Sequence, residues 1–262
     1  MLKELNFAVP TPAEMRAVRQ RRVEAAKKNP TCFTHWFPEV ERLGIPHPRS
    51  RVIDFPDELS CLLLDERYDQ AAEGMRQVIE SIRAFGAEVG YPLFIKNSLF
   101  SAKHEWLNTC FIAEGSSDEQ ISRQIAWLTH LWCMIGGDLA LHLVVREFIH
   151  AKPAFHAFGG MPVTAEYRLF ATDGQLNGWQ PYWPEKSIQS PDAADWAEKL
   201  MAISVPGEDE LDQMRAWAED VTRGLGGYWS VDFLRDRDGM LYLIDMAEGD
   251  KSFKCEVGYR VI

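Results

Sequence analysis

The sequence predicts an α+β fold, on three observations. Residues 67–87 and 117–135 carry apolar side chains at helical spacing, with Ala71, Met75, Val78, Ile79, Ile82 and Phe85 in the first stretch and Ile121, Ile125, Leu128, Leu131, Trp132 and Ile135 in the second. Shorter apolar segments of strand composition separate and follow these helices, at 91–96, 143–149 and 163–183. A last strand pair, within 226–245, is joined by Arg237-Asp238-Gly239, where glycine takes a positive φ without steric cost.

The 262 residues suffice for one large domain or two small lobes. A composition of 46% hydrophobic and 26% charged residues is that of an ordinary globular chain. The formal net charge of -11 argues against a general nucleic-acid or membrane-surface binder, while leaving room for a local basic cleft. Five cysteines, Cys32, Cys61, Cys110, Cys133 and Cys255, form no CxxC pair. They suggest reduced, mostly buried thiols in a cytoplasmic protein. Residues 1–6 hold no signal-peptide apolar region, and no apolar run reaches the length of a membrane span.

Taken in order, Thr11-Pro12-Ala-Glu14 is a helix start, with a cap residue, proline at the first position and an acid three residues on. That helix is expected to reach Lys28, its arginines and lysines forming a solvated face. A short helix from Phe33 closes at Gly44, and an extended segment leads into Val52-Ile53. After the 67–87 helix, the strand 91–96 delivers Lys96 at its C-terminal end. The polar loop that follows carries Ser98, Ser101, Lys103 and His104, a composition suited to phosphate oxygens, before an expected returning strand at 108–113. Two surface lysines are the plainer alternative. Residues 139–149 form an apolar strand broken near its end by Arg146-Glu147, and 153–162 read as a loop. The hairpin at 163–183 sets Glu166 and Arg168 on one face, where they either pair with each other or line a cleft. Trp179, Tyr182 and Trp183 on its second strand either line an acceptor site or pack on a helix. Helices are expected at 191–201 and 208–225.

Each strand of the final pair embeds one carboxylate, Asp232 and Asp245, among aromatic and β-branched residues. Aspartate is depleted in strands and costly there unless paired or bound to a cation. Two neighbouring carboxylates repel, and a divalent ion is the usual remedy. The alternative is a pair of solvated strand ends. Cations in the first part of the chain suit a polyphosphate, and acids in the last part suit Mg²⁺ bridging it.

This constellation resembles the ATP-grasp superfamily, and most closely its clade with two arginines and one lysine as nucleotide-binding signature. The pieces that carry the resemblance are Phe100-Ser-Ala-Lys-His-Glu-Trp106, Val145-Arg-Glu-Phe-Ile149, Glu166-Tyr-Arg168, Trp229-Ser-Val-Asp232 and Ile244-Asp-Met-Ala247, within residues 33–253. It implies two α+β lobes holding ATP between them. Residues 1–90 would form the N-terminal lobe, 91–150 a central lobe with phosphate loop and hinge, and 151–262 a C-terminal lobe with the metal-binding hairpin. Lys96 and Lys103 would contact phosphates, Arg146-Glu147-Phe148 would border adenine and ribose, Arg168 would neutralise the γ-phosphate, and Asp232 and Asp245 would bind Mg²⁺. His104 would act as a base or a hydrogen-bonding group. Two features depart from the family pattern. Ala247 stands where asparagine commonly ligates metal, and Ser101-Ala102 replaces the usual glycines of the phosphate loop.

The activity implied is ATP- and Mg-dependent ligation of a carboxylate to an amine through an acylphosphate, on a small-molecule or peptide substrate. The alternative is an ATP-binding assembly or chaperone-like factor without ligation. Modification of an RNA or nucleotide end fits the acidic charge less well.

Overall fold

The computed structural model describes residues 11–255 and 258–261; residues 1–6, where no signal sequence is expected, lie outside them. Two antiparallel sheets, each backed by helices, face one another. The chain begins with α1 (Pro12–Ala26), opened by the expected capping box of Thr11 and Glu14, and α2 (Phe33–Arg42). Then follow β1 (Ser50–Asp54), α3 (Asp57–Leu64), α4 (Tyr68–Val89) and β2 (Leu93–Asn97). A 3-10 turn at Lys103–Glu105, α5 (Trp106–Thr109), β3 (Phe111–Ile112), α6 (Asp118–Met134) and β4 (His142–Glu147) complete the first half.

The first sheet has the order β1-β4-β2-β3. α4 buries against it the six apolar residues its periodicity picks out, Ala71 through Phe85. α6 joins the same core through Ile121, Ile125 and Leu128, while Ile135, past the last turn, is exposed. Instead of a strand over 108–113, residues 106–109 form a helical turn, closed by Thr109 Oγ1 donating to the carbonyls of Ala102 (2.9 Å) and Glu105 (3.0 Å). The strand that pairs with β2 is reduced to Phe111 and Ile112.

The second half adds a small hairpin, β5 (Phe155–Ala157) and β6 (Met161–Val163), within the stretch expected as a loop. It continues with β7 (Glu166–Thr172), β8 (Gln175–Pro181), α7 (Trp196–Ile203), α8 (Glu208–Leu225), β9 (Tyr228–Arg235), β10 (Leu241–Glu248) and β11 (Arg260–Val261). The second sheet runs β10-β9-β7-β8-β11. Its inner face packs Tyr167, Leu169, Ala171, Val231, Phe233 and Leu243 against α2 and α8. The β9–β10 turn is held by Asp236, whose carboxylate accepts from the Asp238 and Met240 amides, with Gly239 at φ +88°.

The sheets do not follow a division at residues 90 and 150. β1 pairs with β4, and α2 buries Phe33, Trp36, Phe37 and Val40 in the core of the second sheet. Apolar faces seek the nearest partner surface, so the first segment is shared between both lobes. Among the described residues no helix is long and apolar enough to cross a membrane. The cysteines are free; Cys32 and Cys110 are buried, whereas Cys61 and Cys133 are exposed, so the expectation of mostly buried thiols is met in part.

Candidate functional site

Between the sheets lies a cavity of about 510 Å³, within the size range of sites for nucleotide-sized ligands. Lys96, Lys103, Arg146, Glu147, Phe148, Glu166, Asp232 and Asp245 all line it. Local geometry explains how each arrives there.

On β9, strict alternation sends Trp229, Val231 and Phe233 into the core and Ser230, Asp232 and Leu234 to the cleft face. On β10 alternation alone would send Asp245 into the core with Leu241 and Leu243. A bulge between Leu243 and Asp245 prevents this: Leu243 faces Phe233 and Asp245 faces Asp232, so Ile244 is the extra residue. The bulge turns Asp245 to the cleft beside Asp232 and returns Met246 to the core. It also frees the Ile244 carbonyl, which accepts a hydrogen bond from Arg146 Nη1.

Three ion pairs hold the charges. Lys96 Nζ donates to both oxygens of Asp245 at 2.8 Å. The lysine side chain is 3% exposed and its partner 37%. Lys103 Nζ donates to Glu166 Oε2 at 2.8 Å, while Thr164 Oγ1 donates to Glu166 Oε1 at 3.2 Å. Arg168 binds Asp232 in a fork, Nε to Oδ1 at 2.7 Å and Nη2 to Oδ2 at 2.8 Å, and its Nη1 donates to the Phe253 carbonyl. Glu166 and Arg168 thus share a face as expected, yet each takes a different partner.

Lys103 also sits 3.8 Å from the centre of the Tyr182 ring and 4.6 Å from that of Trp183. Burial alone would lower its pKa, and the Glu166 carboxylate more than reverses this, so the ammonium is held above its ordinary value. Arg168 is likewise held above its usual range, with burial opposed by Asp232. Arg146 is different. It is buried, donates from Nε to Ser50 Oγ at 3.0 Å, and makes no ion pair among the described residues. Burial brings its guanidinium down to about 10, despite Asp245 and Glu147 nearby, and its Nη2 has no hydrogen-bond partner among the described residues. An orphaned buried donor beside a cavity fits an anionic ligand.

Glu147 is held by Arg49, Nε to Oε2 at 2.6 Å, and Phe148 stands among Trp106 and Phe111 with ring centres 5.9 and 5.6 Å away. With Phe94 these rings give the cavity an apolar aromatic wall suited to a base. Asp232 and Asp245 are opposed residues on adjacent strands, but no group of three His, Cys, Asp or Glu among the described residues could hold a metal alone. Two carboxylates plus phosphate oxygens form an ordinary Mg²⁺ environment, so the residues fit a metal that arrives with a nucleotide.

His104 departs from the expected arrangement. Its ring packs edge-on against Phe158 at 4.6 Å, and it is not among the residues lining the cavity. Of the three aromatics on the 163–183 hairpin, Tyr182 and Trp183 line the cleft, whereas Trp179 is buried in the core of the second sheet. Thr164 and Ser50 escape sequence reasoning, since lone hydroxyls give no motif. Ala102, where a glycine is usual in the phosphate loop, takes a left-handed conformation at φ +48°.

The fold is similar to that of several solved proteins. The ATP-grasp ligase PsnB, in complex with its precursor peptide PsnA2 and AMPPNP, shares 14% identity over 86% of this chain and 50% of its own, with a TM-score of 0.43. A RimK domain ATP-grasp protein from Sphaerobacter thermophilus shares 16% over 83% and 59%, at 0.43. D-alanine–D-alanine ligase from Bacillus anthracis shares 14% over 84% and 56%, at 0.44. The chain therefore spans about half the length of the first of these and under two thirds of the others. A comparison with curated proteins finds no match. Residues 84–253, well over half of the sequence, match the ATP-grasp domain of family 3 in the clade named for two arginines and one lysine, and the chain belongs to that family.

Proposed function

We propose that the protein is an ATP- and Mg-dependent ligase that joins a carboxylate to an amine, as in peptide bond formation, through an acylphosphate. The observation that carries this reading is the convergence of Lys96, Lys103 and Arg146 with Asp232 and Asp245 at one cavity between the sheets of a member of the ATP-grasp family, with Arg168 paired to Asp232 beside it. In this reading Phe94, Trp106, Phe111 and Phe148 hold the base. Glu147, already oriented by Arg49, borders the ribose.

Lys96, Lys103 and Arg146 bind phosphate oxygens, and Arg168 neutralises the γ-phosphoryl group. Asp232 and Asp245 would hold Mg²⁺, which when bound would supply charge neutralisation along the polyphosphate. The substrate carboxylate oxygen attacks the γ-phosphorus as the bond to the β-phosphate oxygen breaks, releasing ADP. The amine nitrogen then attacks the acyl carbon. The carbon–oxygen bond to phosphate breaks, and the amine proton leaves to solvent. No side-chain nucleophile is required, so the protein acts through position and charge. His104 supports the Trp183 wall of the Lys103 cage rather than the reacting groups.

A second reading, a nucleotide-binding assembly factor without turnover, draws on Ala247, which offers no metal ligand beside Asp245. The test is ADP release from ATP across a panel of carboxylates, including peptide C-termini, and amines. Release that requires both partners is expected. Tight Mg-ATP binding without release by any pair would move the protein to the second reading.

A further inference from the structure

Three ion pairs at the cleft join a cation suited to phosphate with a carboxylate, and two of these span the cleft. Lys96 lies on the first sheet and Asp245 on the second; Lys103 belongs to the loop after β2 and Glu166 to β7. Glu166 has no part in the nucleotide reading. It is 5% exposed, both of its oxygens are occupied, and it ends a strand whose other cleft-facing charge, Arg168, is bound to Asp232. A carboxylate presents oxygens to an ammonium much as a phosphate does. Lys103 cannot turn elsewhere easily, because Tyr182 and Trp183 enclose it and its loop is tied by Thr109 to the Ala102 carbonyl.

We propose that Glu166 and Asp245 are internal stand-ins for phosphate, occupying Lys103 and Lys96 so that the cleft admits a nucleotide in its metal-bound form and resists the free polyanion. This rests on the nucleotide reading above. The charge balance supports it. Lys96, Lys103 and Arg146 line the cavity against Glu147, Glu166, Asp232 and Asp245, leaving one net negative charge, while Arg168 is paired to Asp232. Free ATP brings roughly four negative charges and its magnesium complex roughly two, so the free form meets the larger repulsion from these four carboxylates. A divalent cation that took up Asp245 would release Lys96 to the phosphates, so metal and nucleotide each relieve the obstacle to the other. Glu166 then sets how far Lys103 contributes, and it is a positioning residue rather than a metal ligand.

The experiment compares binding of ATP, and of inorganic tripolyphosphate, with and without Mg²⁺ by calorimetry, on the parent, Glu166→Gln and Asp245→Asn, with thermal melts to verify folding. Glu166→Gln is expected to bind metal-free ATP and tripolyphosphate at least tenfold more tightly than the parent, shrinking the ratio between metal-bound and free affinities. Asp245→Asn, at the more open pair, is expected to tighten the free polyanions as well, while losing much of the gain that Mg²⁺ gives the parent. The second variant serves if the buried first one does not fold. Unchanged or weaker binding of free ATP in a folded variant, with the parent binding Mg-ATP, overturns this proposal and leaves the nucleotide reading standing. Failure of the parent to bind ATP in either form removes the nucleotide reading itself, and this inference with it.

Discussion

The first sheet brings its charges to the cleft near the ends of strands otherwise sunk in an apolar core, Lys96 on β2 and Arg146 on β4. The second sheet carries Glu166, Arg168, Asp232 and Asp245 along one face, over an inner face of aliphatic and aromatic side chains. The cations of the first sheet pair with no carboxylate of their own sheet: Asp245 reaches Lys96 from across the cleft, and Arg146 takes the Ile244 carbonyl from across it besides Ser50 on β1. The second sheet satisfies itself through the Arg168–Asp232 fork. Charges paired within a sheet serve its stability first; charges paired between sheets couple its partner to whatever enters the cleft.

The largest test of that contrast is Asp232→Ala. Asp232 is 6% exposed, and its loss strands Arg168, so unfolding free energy is expected to fall by about 3–5 kcal/mol in denaturant melts. A loss near zero would show that the fork carries no structural load. Next comes the Lys103 cage. Lys103→Met alone leaves Glu166 buried and uncompensated, at a cost of about 3 kcal/mol, whereas the double variant Lys103→Met/Glu166→Met is expected to lie within about 1 kcal/mol of the parent or above it. Equal losses in single and double variants would contradict the pairing. Asp245→Ala is expected to cost less, about 1–2 kcal/mol, because its carboxylate is partly solvated while Lys96 is not.

The smallest effect concerns His104. Burial first, and then Lys103, hold its imidazole below the ordinary histidine value. The unfolded chain therefore takes up a proton that the folded one resists. The stability contributed is full above the ordinary value and is lost as pH falls through the folded value. His104→Phe is expected to flatten that acid limb in melts from pH 5 to 8, with Mg-ATP affinity within about twofold of the parent, as for a surface change that leaves ligand contacts intact. A loss of binding in a folded variant would return His104 to the cleft.

Much of this was legible in residue order. α4 and β9 were readable because one side of each is apolar throughout, so period alone fixes the face. Lys96, Arg146, Asp232 and Asp245 stood out because charge within an apolar strand demands a partner. The partners themselves were not readable: the Lys96–Asp245 pair joins residues 149 apart in sequence, and the face of Asp245 depends on a bulge at Ile244 that breaks strict alternation. The sheet that α2 packs on is not readable for a related reason. Its apolar stripe of Phe33, Trp36, Phe37 and Val40 says that it is buried, but not against which sheet. The place of His104 does not follow from that of its neighbour, since residues adjacent in a 3-10 turn point in different directions and, of the two, Lys103 lines the cavity.

The most direct test of the account is calorimetric titration of ATP into the parent and into Asp232→Asn, with and without Mg²⁺, after melts show that both are folded. The parent is expected to bind ATP in a Mg²⁺-dependent manner, and the variant to lose that dependence. Absence of binding of ATP, ADP and a non-hydrolysable ATP analogue to the folded parent would contradict it.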